Sequence, residues 1–187
     1  MHLVLLFLFI FAINTAAATE DSALGVGLGF AVAGVEDPAG STGNDQVFVP
    51  GLFYRGAWAR DLDYAVGARY ASGELTPTPT EIGQAFSHLE LSLALHKRLR
   101  LLREFKTWVG GGVALARDTF ETRQTVDGDG FLKDRYDNRE STGANVLLEV
   151  TAQYRTQNNH DWAVQLQHQE PLGDRVRYSG VNLMWLF

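Results

Sequence analysis

Three side chains with the makings of a hydrolytic site follow one another at intervals of two: His88, Glu90 and Ser92. A histidine can serve as general base to a serine nucleophile, with a carboxylate to orient it. The spacing argues against that use here. Leu89, Leu91, Leu93 and Leu95 alternate with His88, Glu90, Ser92 and His96, which is the period of a strand. Residues two apart on a strand are ~7 Å apart, so His88 and Ser92 are ~13 Å apart and share no hydrogen bond. The polar face instead suits an ion-pair network, with Glu90 and Glu149 set against Arg55, Arg69 and Arg155, and Gln153 among them. A second candidate is His168-Gln169-Glu170, at the end of the alternating run Trp162, Val164, Leu166. Asp127-Gly128-Asp129-Gly130 resembles the opening of a calcium loop. It lacks the spacing and terminal carboxylate of an EF-hand, and Asp-Gly pairs mark turns. Lys97, Arg98, Arg100, Arg103 and Lys106 crowd one short stretch. Long basic side chains of this kind snorkel to a membrane boundary, with contact to anionic lipid or cell-wall polymer as the alternative. Cysteine is absent, so there is no thiolate metal site and no disulfide framework. No metal and no cofactor is expected.

These residues sit on eight alternating segments. They are Leu24–Val35, about Val47–Ala59, Tyr64–Ala71, the run around Leu89–Leu95, Thr107–Ala116, the run around Val146–Tyr154, Trp162–Leu166 and Val181–Phe187. One face carries large apolar residues. The other is small or polar and holds charges on several segments. A soluble β-sandwich also alternates, but its core would leave those charges buried and unpaired at several kcal/mol each. A barrel lumen accommodates them. Segments of ~9–12 residues match a tilted membrane-crossing strand. The connections also alternate in length. Residues 36–45, 72–84 and 117–141 read as long polar loops, while Asp61-Leu62-Asp63 and Thr156 to His160 read as short turns. Pro171 to Arg175 is short for its side, and the basic turn near 97–106 is longer than usual. The expectation is an all-β, closed, eight-stranded antiparallel up-and-down barrel. At that strand number the side chains just fill the interior. Arg55, Arg69, His88, Glu90, Glu149, Gln153 and Arg155 are expected to plug it, so no large pore follows.

With 187 residues, 45% hydrophobic and 20% charged, the chain has the composition of one folded domain. A net charge of −6 argues against a general nucleic-acid binder. Leu3 to Phe11 is an apolar run followed by Ala16-Ala17-Ala18, a small-residue cleavage pattern. Residues 1–18 are therefore expected to be a cleaved export signal and residues 19–187 the barrel. The n-region lacks Lys and Arg, and an uncleaved anchor is the competing reading.

The final strand, Tyr178-Ser179-Gly180-Val181-Asn182-Leu183-Met184-Trp185-Leu186-Phe187, resembles the C-terminal β-signal read by the outer-membrane assembly machinery. Trp108-Val109-Gly110-Gly111-Gly112-Val113 is similar to a strand common in OmpA-like and OmpX-like barrels. The resemblance implies a Gram-negative outer-membrane location after export, with periplasmic chaperones and the barrel insertase as assembly partners. It makes Gly180, Leu183, Trp185 and Phe187 the assembly signal. Outer-membrane lipid and lipopolysaccharide would be the surroundings, with a possible extracellular ligand at 36–45, 72–84 and 117–141. The implied role is structural or surface-interacting rather than enzymatic. The alternative is a lipid-modifying enzyme such as the PagL kind of lipid A deacylase, which uses a His-x-Ser pair. The residue two after His168 is Glu170, so the expected nucleophile is missing at that position.

Overall fold

Among the described residues nine strands follow one another: Ala23–Glu36 (β1), Thr42–Ala59 (β2), Leu62–Leu75 (β3), Gly83–Leu99 (β4), Phe105–Val126 (β5), Leu132–Arg135 (β6), Arg139–Arg155 (β7), Asp161–Pro171 (β8) and Val176–Leu186 (β9). This computed structural model describes residues 22–36, 42–99, 105–155 and 161–187. The proposed export segment 1–18 and the turn from Thr156 to His160 lie outside the described residues. All strand pairings are antiparallel. Eight strands form a closed ring in sequence order, and β6 pairs only with β5 beyond the ring. Closure runs from Gly25 opposite Leu186 to Val35 opposite Val176. Phe187 extends it, donating its N–H to the Leu24 carbonyl at 2.8 Å and accepting the Leu24 N–H at 3.2 Å.

Phe30 is 73% exposed on the outer wall, while Glu90 in the lumen is 1% exposed. The lumen holds charged and polar side chains together with an apolar cluster that includes Val35, Val49, Phe86 and Phe120. Large apolar residues on the outer wall fit a hydrocarbon surrounding. Closure then matters for a physical reason. An open strand edge in hydrocarbon leaves backbone groups without partners, at several kcal/mol each. Aromatic rings gather at the end that carries the short β2–β3 turn. Tyr54 and Trp58 pack on Tyr64, Phe105 on Tyr154, and Trp162 and Phe187 on Trp185. Such a belt suits a membrane–water interface.

One expectation is corrected: the segments expected as long loops are largely paired strand. β3 continues to Leu75 and β4 begins at Gly83, leaving 76–82 as the connection. Glu36 already pairs with Thr42. In 117–141, β5 runs on to Val126, paired with β7 as far as Phe120, with β4 as far as Gln124 and with β6 from Gln124 to Val126. The apolar alternation that marks a strand in lipid stops at Leu115. Backbone pairing needs no apolar side chains and continues into water. Asp127-Gly128-Asp129-Gly130 makes the turn between β5 and β6. Asp127 Oδ1 accepts the N–H groups of Asp129 and Phe131 at 3.0 and 2.8 Å, and Gly130 has φ +85°. That left-handed conformation favours glycine.

The glycines of β1 and β5 leave room for large lumenal side chains. A methyl group at Gly27 would lie 2.5 Å from the Phe53 ring, and one at Gly110 would strike His96. Gly180 is also closely packed. A methyl group there would come within 2.6 Å of Ala31 Cβ, its partner across the closing seam.

Candidate functional site

The lumen is organised around Arg69 of β3. Its guanidinium reaches Glu90 Oε1 of β4 at 2.5 Å and Glu149 Oε1 of β7 at 2.7 Å. It also donates to Ser92 Oγ at 3.2 Å and Gln165 Oε1 at 3.0 Å, and lies over the Phe53 ring at 4.8 Å. β3 and β7 are not neighbours in the ring, so this contact crosses the barrel. The outer oxygens of both carboxylates are also engaged. Glu149 Oε2 meets His96 Nε2 at 2.9 Å. Glu90 Oε2 meets His88 Nε2 at 3.2 Å and accepts from the Gln169 amide. His88 Nδ1 in turn meets Asp118 Oδ1 at 2.5 Å, and its ring stacks on Tyr178. These charges are desolvated, so each depends on its ion-pair partner, because one missing partner leaves an uncompensated buried ion; Arg69 Nε and His96 Nδ1 are buried without a hydrogen bond.

Both ends of this cluster are closed by further polar contacts. On the side of the β2–β3 turn, Arg55 lies over the Trp108 ring at 3.6 Å and donates to Gln153, which donates to Asp161. Asp63 accepts from Trp108 Nε1 at 2.5 Å and from Arg98 at 3.2 Å. On the opposite side, Arg175 donates to Asn145 Oδ1 at 2.6 Å, and Asn145 donates to Gln169 Oε1 at 3.0 Å. A cavity of about 30 Å³ remains beside Phe53, Arg69 and Met184, space on the order of a single water molecule.

The structure thus brings Arg69, His88, Glu90, Ser92 and Glu149 into one contiguous set. It places Arg55 beside Gln153 and over the Trp108 ring. Arg155 belongs to β7, and its side chain lies outside the described residues, as do Arg100 and Arg103. Arg98 turns to Asp63 and Lys97 stays exposed. His96, Asp118, Asn145, Gln165, Gln169 and Arg175 also belong to the lumen. Of these, His96, Asn145 and Gln165 share the inward parity of residues on recognised segments. Asp118 lies beyond the expected strand end at Ala116, where the apolar alternation has stopped.

His168 and Glu170 are not in the lumen. They stand on the outer face, with side chains 45% and 48% exposed. His168 Nδ1 lies 2.7 Å from Ser179 Oγ of β9, and His168 Nε2 lies 3.5 Å from Glu170 Oε2. Arg177 Nε and Nη2 donate to Glu170 Oε2 and Oε1 at 2.8 and 2.7 Å. A serine hydroxyl thus meets His168 from the adjacent strand, where Ser179 is its register partner. Gly180 follows Ser179 and faces inward, whereas Leu183, Trp185 and Phe187 face outward.

No family model and no curated protein matches the chain. Solved structures do. Neisserial surface protein A is 13% identical, with a TM-score of 0.61, over 88% of this chain and 95% of that one. Ail, the attachment invasion locus protein of Yersinia pestis, in complex with the heparin analogue sucrose octasulfate, is 12% identical with a TM-score of 0.54. It covers 89% of this chain and 99% of its own. At these identities the likeness is one of fold: the chain shares the small eight-stranded barrel of these surface and attachment proteins.

Proposed function

We propose that the chain is an outer-membrane barrel with a structural or surface-interaction role, working through its outer surface and not through a pore. The observation that carries this reading is the Arg69 guanidinium. It spans the lumen between Glu90 and Glu149 and ties together walls that a channel would need to keep apart. Residues 1–18 direct export. Gly180, Leu183, Trp185 and Phe187 engage the assembly machinery, with periplasmic chaperones holding the chain on the way. Once inserted, the barrel sits among outer-membrane lipid and lipopolysaccharide. The β4–β5 extension with β6 offers an extracellular ligand its contact surface, with Phe131 at 71% exposure near the tip. The test is conductance of the folded protein in planar bilayers. The expected result is no large stable channel, and a reproducible porin-sized conductance would refute the reading.

A further inference from the structure

At the end of the barrel that carries the β2–β3 turn, the outer wall differs from one side to the other. On one side Trp162 of β8 stacks on Trp185 of β9 at 6.4 Å, and the residue before Trp162 is Asp161. β3 stands opposite, four strands away in either direction around the ring. There Trp58 packs edge-on against Tyr64 at 6.4 Å, and Tyr64 is the register partner of Leu95. Two cations lie just beyond this apolar face, toward the turn. Lys97 extends the outward series Leu89, Leu91, Leu93 and Leu95 by one step. Arg60 follows Trp58 by two residues and sits in the turn itself. Both are exposed, whereas Arg98 is drawn inward to Asp63 at 3.2 Å.

The turn is tied to the base of β4. Arg98 donates its backbone N–H to the Asp61 carbonyl at 2.9 Å, and Lys97 is the register partner of Leu62. Cross-strand neighbours stand ~5 Å apart, so the Arg60 and Lys97 backbones are on the order of 10 Å apart. Side chains of their length can meet on one group between them. Neither has an ion-pair partner among the described residues. Asp61 is exposed next to Arg60 and offsets one of the two charges.

Given the membrane placement proposed above, on which this rests, we infer that Arg60 and Lys97 form a site for the phosphate of an anionic phospholipid, whose acyl chain lies against Trp58, Tyr64 and Leu95. Aromatic rings of this kind mark the depth of the headgroups. Long basic side chains at that depth lay their stems on apolar surface and carry their charge out to the headgroup. The site separates phospholipids by what accompanies the phosphate. Phosphatidylethanolamine bears an ammonium group that the two cations repel. Phosphatidylglycerol bears the phosphate charge alone and keeps the full attraction. One uncompensated cation at an anionic surface corresponds to about a fivefold preference. The Trp162–Trp185 side has no matching pair of cations among the described residues, so no preference is expected there.

The test uses the full barrel folded into vesicles of phosphatidylethanolamine and phosphatidylglycerol in equal parts, with one or the other brominated on its acyl chains. Bromine quenches tryptophan on contact, so the fluorescence reads which lipid lies beside each ring. The Trp58 signal is the difference between wild type and Trp58→Phe. The signal that responds to bromine in Trp58→Phe belongs to Trp162 and Trp185, because Trp108 is buried in the lumen. The expected result is about fivefold enrichment of phosphatidylglycerol beside Trp58 and the bulk ratio beside Trp162 and Trp185. Arg60→Gln combined with Lys97→Gln should return Trp58 to the bulk ratio, and Lys97→Arg should keep the enrichment. Salt at about 0.5 M should reduce it. Heat-dependent gel mobility is run alongside to show that each variant is a folded barrel. Equal quenching by the two lipids at Trp58, the same enrichment at all three rings, or enrichment undiminished in the folded double variant would overturn the inference. Failure of the wild-type chain to insert would instead strike the membrane placement.

Discussion

At the scale of the residue, Arg69 carries the most interactions. It pairs with two carboxylates, and those carboxylates hold two histidines and a glutamine. Removing it leaves Glu90 and Glu149 buried with their cation gone. Arg69→Ala should lower stability by about 3–5 kcal/mol, the usual effect of breaking one side of a buried pair. Urea titration of the barrel in vesicles checks this. Replacing Arg69, Glu90 and Glu149 together with apolar residues of similar volume should destabilise it less, because no unpaired ion remains. Part of this site was legible from sequence. The parity of Arg69, Glu90 and Glu149 put all three on one face, and opposite charges on one face invite pairing. The contact of His168 with Ser179 was not legible, because it depends on hairpin register. Cross-strand neighbours are ~4.5–5.5 Å apart, closer than the ~7 Å between residues two apart on one strand. Reading along the strand finds Glu170 and misses the nearer Ser179.

At the scale of the element, the strands were read well where lipid dictates composition and poorly where it does not. Leu89, Leu91, Leu93 and Leu95 mark β4 through the membrane, yet β4 starts at Gly83. Thr119, Glu121 and Arg123 carry β5 outward without any apolar signal. β9 is the element on which closure depends. Its terminal Phe187 makes both backbone hydrogen bonds to Leu24 and packs on Trp185. Deleting Phe187 should slow assembly and lower the folded fraction more than deleting Gly128-Asp129 from the β5–β6 turn. Pulse-chase assembly in cells measures the difference. Equal competence of the two variants would remove the basis for treating the last strand as the assembly signal.

At the scale of the molecule, a ring of eight strands with no open edge unfolds only by breaking the whole ladder. The folded protein should migrate differently on gels before and after boiling in mild detergent, and recovery as a soluble periplasmic monomer would contradict the barrel placement. The β4–β5 hairpin has a consequence of its own. β5 is 22 residues long, about 70 Å of strand, and much of it stands clear of an apolar band ~25 Å tall. It forms a continuous arm from the membrane surface outward. Thr122, with φ 51° beside the register shift at Gly83 and Ala85, sets a bend in its arm. Below the bend the same two strands carry His88 and Asp118, in contact at 2.5 Å. A load at the tip therefore reaches buried charges through continuous backbone, with no slack segment between to absorb it.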